Sequence, residues 1–476
     1  MLWTSLLLAT ASAQPDNIIV MIADGGSYDI FAAAAMFEGT YDAEAGRPQT
    51  YTGPGWIEVA KANGTLGRKL GAPLEPEWRR YDPKKAWSRK RTEGTLLGGG
   101  HEGEAYVHQF SSTAWHADTE PDSAGTMSQM MTGTKTVNGV INWSPDNTPV
   151  PAFAELVHTD HAVGIVSSVP YNHATPAAAA GAHAANRSDT ETLTAHMLMT
   201  DVCDVVMGAG HPQFDNNGAV RSKPHYRYFG NGTNWLQVSG QAPWPHEARP
   251  WTVVDTTPAF TSLAALGTLP DGSTPERVLG LAPVSATLQA NRLGARASRS
   301  HPGKVPRIDS VPSLETMTLG ALRLLEQRDE DSFFLMVEGG AADWAAHANQ
   351  AGIMIEEMLA FDRTVKTVVG WIESHGGWDK NLLIVTADHG HLFQGVPTRT
   401  DPFPPITDNG AGRVPTHTWL WDNHSNHLVP VYARGAGSDA LTQLADERDT
   451  RRGAYIQDTE IFDTMLRAWK LSDPRE

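Results

Sequence analysis

Ser332-Phe333-Phe334-Leu335-Met336-Val337-Glu338-Gly339-Gly340-Ala341-Ala342-Asp343-Trp344-Ala345-Ala346-His347 is an apolar run that ends in groups able to bind metal. Six consecutive apolar or small residues before the first charge predict a strand buried on both faces. Asp343 and His347 are four apart, so on a helix they share one face and can grip one ion. Glu338 closes the strand, placed for a harder cation that prefers oxygen. Leu382-Leu383-Ile384-Val385-Thr386-Ala387 repeats the device, and Asp388-His389 follows it directly. Two strand ends that each deliver carboxylate plus imidazole point to a hydrolytic centre with more than one metal ion. The blander reading, polar residues that merely open two loops, fits either run alone better than it fits both.

Working outward, residues 17–23, 162–169 and 428–433 are further apolar runs beside polar clusters. With the two above they predict five parallel strands. Apolar residues at three- and four-residue spacing predict helices over 314–327 and 353–373. Strand alternating with helix implies an α/β protein, a three-layer α/β/α sandwich around a largely parallel sheet. In such a sheet the ligand sits beyond the carboxyl ends of the strands, where most of these clusters fall. Residues 40–115 and 207–311 are rich in Gly, Pro, Trp and charge, and read as insertions decorating a single domain over 14–476.

The formal charge of −17 over 476 residues argues against nucleic acid or an anionic membrane as partner. Residues 2–9 form a short apolar core before Ala11-Ser12-Ala13, which predicts a signal peptide over 1–13, although a basic start is lacking. No other segment is long and apolar enough to insert in a membrane, so a secreted or periplasmic protein is expected. The single cysteine, Cys203, excludes an intramolecular disulfide and reads as a buried inert thiol. Stability then rests on the core and on bound metal.

Asp122-Ser123-Ala124 precedes a stretch, 125–131, that could be helical. A serine at a helix start is ordinarily an N-cap. Beside a zinc ion it becomes a candidate nucleophile, because the metal lowers the hydroxyl pKa. No Gly-x-Ser-x-Gly surrounds it, so a serine-triad hydrolase is unsupported.

Asp24-Gly25, Asp122-Ser123-Ala124, Thr132-Gly133-Thr134-Lys135-Thr136, Ala174-Thr175-Pro176-Ala177-Ala178, Glu338 with Asp343 and His347, and Thr386-Ala387-Asp388-His389 occur in this order. Together they resemble the alkaline phosphatase family, over residues 17 to about 437. The resemblance implies two zinc ions and one magnesium ion. Asp343, His347 and a late histidine would hold the first zinc. Asp24, Asp388 and His389 would hold the second, next to Ser123. Asp24, Thr175 and Glu338 would serve magnesium. The late histidine is His417, His424 or His427; His424 stands eleven residues before Gly435 (435 − 424 = 11), the family's spacing, and is favoured.

Arg187 matches the family's phosphate clamp, one residue further from Thr175 than usual, so a bulge is expected between them. His173 stands where the family has Asp or His, and is expected to act through water with Trp344 packed beside it. Four buried carboxylates without cations would be prohibitive, and three divalent ions leave a surplus that suits a dianionic monoester. The expected activity is therefore a phosphomonoesterase passing through a phosphoserine, with Ser123 and Arg187 catalytic and Asp122 helping to bind small phosphate monoesters. Rival readings are a phosphodiesterase or phosphonate hydrolase on the same scaffold, or a non-catalytic phosphate- or metal-binding protein. The resemblance also implies a homodimer.

Overall fold

The structure, a computed structural model, describes residues 14–97, 106–328 and 332–476; the expected signal peptide, 1–13, lies outside them. Its centre is one eleven-stranded sheet. In chain order the sheet strands that matter here are β1 (Asn17–Ala23), β2 (Ile57–Ala62), β3 (Ala162–Pro170), β4 (Val205–Ala209), β5 (Thr252–Val254), β6 (Val278–Leu281) and β7 (Phe333–Gly339). β8 (Asn381–Thr386) completes the middle. A two-stranded ribbon of β9 (Gly390–Gln394) and β10 (Thr418–Ser425) follows, then β11 (Val429–Gly435) returns to the sheet. From β2 to the far edge the order is β2-β11-β8-β1-β7-β3-β4-β6-β5.

The continuous apolar runs are explained by burial on both faces. Alternate residues of β1 enter different cores: Ile19 and Met21 on one side, Ile18, Val20 and Ile22 on the other. β7 divides likewise, with Phe333, Leu335 and Val337 opposite Phe334 and Met336. Helices α1 (Tyr28–Glu38), α4 (Leu314–Leu325) and α6 (Ala351–Ser374) cover the first face; α2 (Ser123–Thr132), α3 (Ala174–Ala179) and α7 (Thr459–Trp469) cover the second. The short α5 (Ala341–His347) lies beyond the end of β7. This is the expected three-layer α/β/α arrangement.

Two expectations need correction. The run at 428–433 was expected to be a parallel strand, but β11 is antiparallel to both β8 and β2. Its start, not its end, therefore reaches the rim where β1, β7 and β8 finish, which brings the histidines just before it to that rim. The segments 40–115 and 207–311 do more than decorate the sheet, because β2, β5 and β6 are strands of it. These strands are only three to six residues long and sit among Gly, Pro and charge, so periodicity does not reveal them.

Candidate metal and nucleophile site

Register aligns the strand ends. Ala23 pairs with Gly339, and Ile22 with both Glu338 and Thr386. Asp24, Glu338 and Asp388 consequently emerge side by side, all fully buried. Gly25 turns the chain at once, with φ of 75°; a Cβ there would stand 2.9 Å from the His391 ring. Its amide donates to Asp388 Oδ1 at 3.1 Å.

Two groups of ligand atoms result. His424 Nε2 lies 2.9 Å from His347 Nε2 and 3.2 Å from Asp343 Oδ1, and His347 Nε2 lies 3.5 Å from Asp343 Oδ2. Atoms bound to one tetrahedral ion at ~2.0–2.2 Å are roughly 3.3–3.5 Å apart. The tautomers fit as well. His347 Nδ1 donates to the Asp422 carbonyl at 2.7 Å, and His424 Nδ1 to the Pro121 carbonyl at 2.8 Å. With both rings neutral, their Nε2 lone pairs would face each other, an arrangement that suits a cation between them; with no cation there, a protonated His424 can donate to His347 instead. In the second group, His389 Nε2 stands 3.2 Å from Asp388 Oδ2, 3.6 Å from Asp24 Oδ1 and 3.2 Å from Ser123 Oγ. No donor meets either oxygen of Asp24, Oδ2 of Asp388, Oγ1 of Thr175 or Oε1 of Glu338. Buried oxygens left this way fit metal ions as their missing partners.

Electrostatics agree. Burial, then the charges of Asp388, Asp343 and Glu338, pushes Asp24 well above the usual carboxylate range. Burial, then the Asp343 charge, raises Asp388. Asp343 goes the other way: burial opposes, but His347 and His424 hold it well below the usual range.

Ser123 is the first residue of α2, and the cap is Asp122 rather than Ser123: Asp122 Oδ1 accepts from the Gly125 amide at 2.8 Å. The hydroxyl is thus free of capping. Asp122 Oδ2 also pairs with Arg187 Nη1 at 3.0 Å. Ser123 and Arg187 border a cavity of about 380 Å³ shared with His173, Trp344, His347 and His424. Between α3 and Arg187 the chain makes a left-handed turn at Gly181, φ 77°. His173 packs edge-on to Trp344 with ring centres 5.6 Å apart, and burial, then Arg187, drives its pKa down to about 3.

Of the three late histidines, His424 reaches this site. His417 packs on Phe393, and His427 packs on His116 with ring centres 3.6 Å apart. Cys203 is buried and its thiol is pushed up to about 12 by burial. Two residues were missed by the sequence reading. His391 Nε2 bonds Asp343 Oδ1 at 2.7 Å, and the buried Lys61 ammonium donates to the Asp388 carbonyl at 3.2 Å. His391 was signalled by its place two residues after His389; nothing in the sequence marked Lys61.

The family model described as alkaline phosphatase matches residues 100–411. The chain belongs to the alkaline phosphatase family. It is accordingly a phosphatase, of a metal-dependent family, acting on phosphate esters. Among curated relatives, streptomycin-6-phosphate phosphatase of Streptomyces griseus is 30% identical over 359 residues, 68% of this chain and 75% of that one. The alkaline phosphatase of Escherichia coli strain K12 is 29% identical over 362 residues, 70% of this chain and 72% of that one. In fold, the chain is similar to the alkaline phosphatase of the Antarctic bacterium TAB5, with a TM-score of 0.61, 19% identity, and coverage of 96% and 99% of the two chains. No helix among the described residues is long and apolar enough to cross a membrane.

Proposed function

We propose that the protein is an exported phosphomonoesterase, dependent on two zinc ions and one magnesium ion, in which Ser123 takes the phosphoryl group. The observation that carries this reading is the convergence of His347 Nε2 and His424 Nε2, 2.9 Å apart, on the Asp343 carboxylate in the cavity that Ser123 borders. Asp343, His347 and His424 would hold one zinc; Asp24, Asp388 and His389 the other; Asp24, Thr175 and Glu338 the magnesium. When bound, these ions neutralise the clustered carboxylates and make hydroxyl groups beside them more acidic.

The chain's own groups do the rest. Ser123 Oγ attacks phosphorus from the amino end of α2, where the helix favours an anion. Arg187, steadied by Asp122, offers a planar fork to two phosphoryl oxygens. That fork and the third cation position reward a phosphoryl group with its full set of free oxygens, which favours monoesters over diesters. His173 borders the same cavity, where its ring would meet the waters of the magnesium ion. Export is supported by the apolar residues 2–9 and Ala11-Ser12-Ala13.

Quenching turnover of a labelled monoester in acid is expected to leave phosphate on Ser123. Ser123→Ala is expected to lower kcat by orders of magnitude with the fold intact. Label on another residue, or faster turnover of a diester than of its matched monoester, contradicts the reading.

A further inference from the structure

A groove of about 1160 Å³ opens beside this site. Its near wall is formed by Ala348, Asn349 and Gln350, the residues directly after His347, which itself borders the Ser123 cavity. Consecutive Cα atoms are ~3.8 Å apart, so the groove begins one residue from a candidate zinc ligand.

The groove's charge is opposite to that of the protein. Arg221, Arg292, Arg296 and Arg299 line it, against a single carboxylate, Asp215, in a chain of formal charge −17. Asp215 is engaged in its own turn, accepting from the amides of Asn217 and Ala219 at 2.7 and 3.0 Å. Arg292 is neutralised by Glu356 at 2.8 Å. Arg221 is held by two neutral acceptors, with Nε donating to the Phe214 carbonyl at 2.6 Å and Nη2 to Ser285 Oγ at 3.2 Å, and the Asp215 charge stands near it. Arg296 is exposed at the groove wall.

We propose that this groove is the leaving-group subsite, and that it selects small phosphate monoesters whose alcohol carries a second anionic group. A guanidinium already held in place forms charge-assisted bonds with less loss of side-chain freedom than a mobile lysine. The inference rests on the phosphomonoesterase reading above, and names the substrate class for that same site.

The test uses the metal-replete enzyme at low salt and a matched series, each member releasing phosphate from the 6-position. Glucose 6-phosphate is the neutral member, 6-phosphogluconate adds a carboxylate, glucose 1,6-bisphosphate adds a phosphate, and glucosamine 6-phosphate adds a cation. The expected result is a kcat/KM on the order of tenfold higher for an anionic member than for glucose 6-phosphate, with glucosamine 6-phosphate lowest. Which anionic member gains more tells carboxylate from phosphate. High salt should erode the advantage. Arg296→Ser, and separately Arg221→Ser, should cut it severalfold while the rate on p-nitrophenyl phosphate stays unchanged. Turnover of p-nitrophenyl phosphate with equal kcat/KM across the series, or with the cationic member preferred, overturns the subsite alone. The same holds if the variants lower the p-nitrophenyl phosphate rate as much as the anionic one. Absence of turnover on every monoester overturns both readings.

Discussion

His391, which lies with Asp343, His389 and His424 in a group able to hold a metal ion, can also act by positioning a ligand. Burial holds its pKa down to about 4, so the ring is neutral and its Nε2–H donates to Asp343 Oδ1 at 2.7 Å. That bond aims the carboxylate at His347 and His424. His391→Asn should let the candidate first zinc escape more readily, by the ten- to hundredfold typical when a ligand loses its supporting bond; competition with a chelator measures it. Unchanged zinc affinity would contradict the positioning role. The ligand candidates Asp343, His347, Asp388 and His389 could be read because each follows an apolar strand. His391 sits inside a second ribbon that carries no such run, and only its place two residues after His389 signalled it. Among His417, His424 and His427 the sequence offered only spacing. The structure separates them by packing, since His427 is stacked on His116 and His417 on Phe393.

Strand ends position the candidate metal ligands, and the amino end of α2 positions Ser123. β1, β7 and β8 were legible because they lie in the middle of the sheet and are apolar throughout. β5 and β6 were not, because Thr252–Val254 and Val278–Leu281 are too short to show a period. The direction of β11 was equally hidden, because an apolar run reads the same in either orientation. The turn between α3 and Arg187 offers a sharper test. Gly181 has φ of 77°, and a Cβ there would lie 2.6 Å from Glu155 Cγ. Glu155 cannot easily withdraw, since its carboxylate holds the Ala152 amide at 2.8 Å and His183 at 2.9 Å. Gly181→Ala should therefore cost at least ~1–2 kcal/mol from the left-handed backbone alone. It should also weaken inhibition by phosphate through a displaced Arg187. A melting temperature and phosphate inhibition constant equal to those of the parent would show that this turn does not set the clamp.

Taken across the fold, one sheet gathers four buried carboxylates that cannot all stay ionised without cations. With the metals removed, burial, partly offset by the Ser167 hydrogen bond and reinforced by the Asp388 charge, pushes Glu338 from 4.5 up to about 7. Asp24 is raised further and Asp388 is raised as well. A carboxyl whose folded pKa is raised binds more protons in the folded state, so stability is lost as pH climbs through the folded value. The buried histidines His173 and His391 act oppositely, but only below their ordinary 6.5. Between pH 6.5 and about 8 the metal-free protein should therefore lose thermal stability, and zinc should restore it; a melting point that rises over that interval contradicts the cluster's electrostatics. The most direct check of the whole account is the rate of p-nitrophenyl phosphate hydrolysis as zinc is returned stepwise to metal-free protein, with bound zinc counted per chain. The account predicts a negligible rate until both sites fill, a break at about two zinc ions per chain, and a further rise with magnesium. Full activity with no zinc bound, or a break at a single ion, would contradict it.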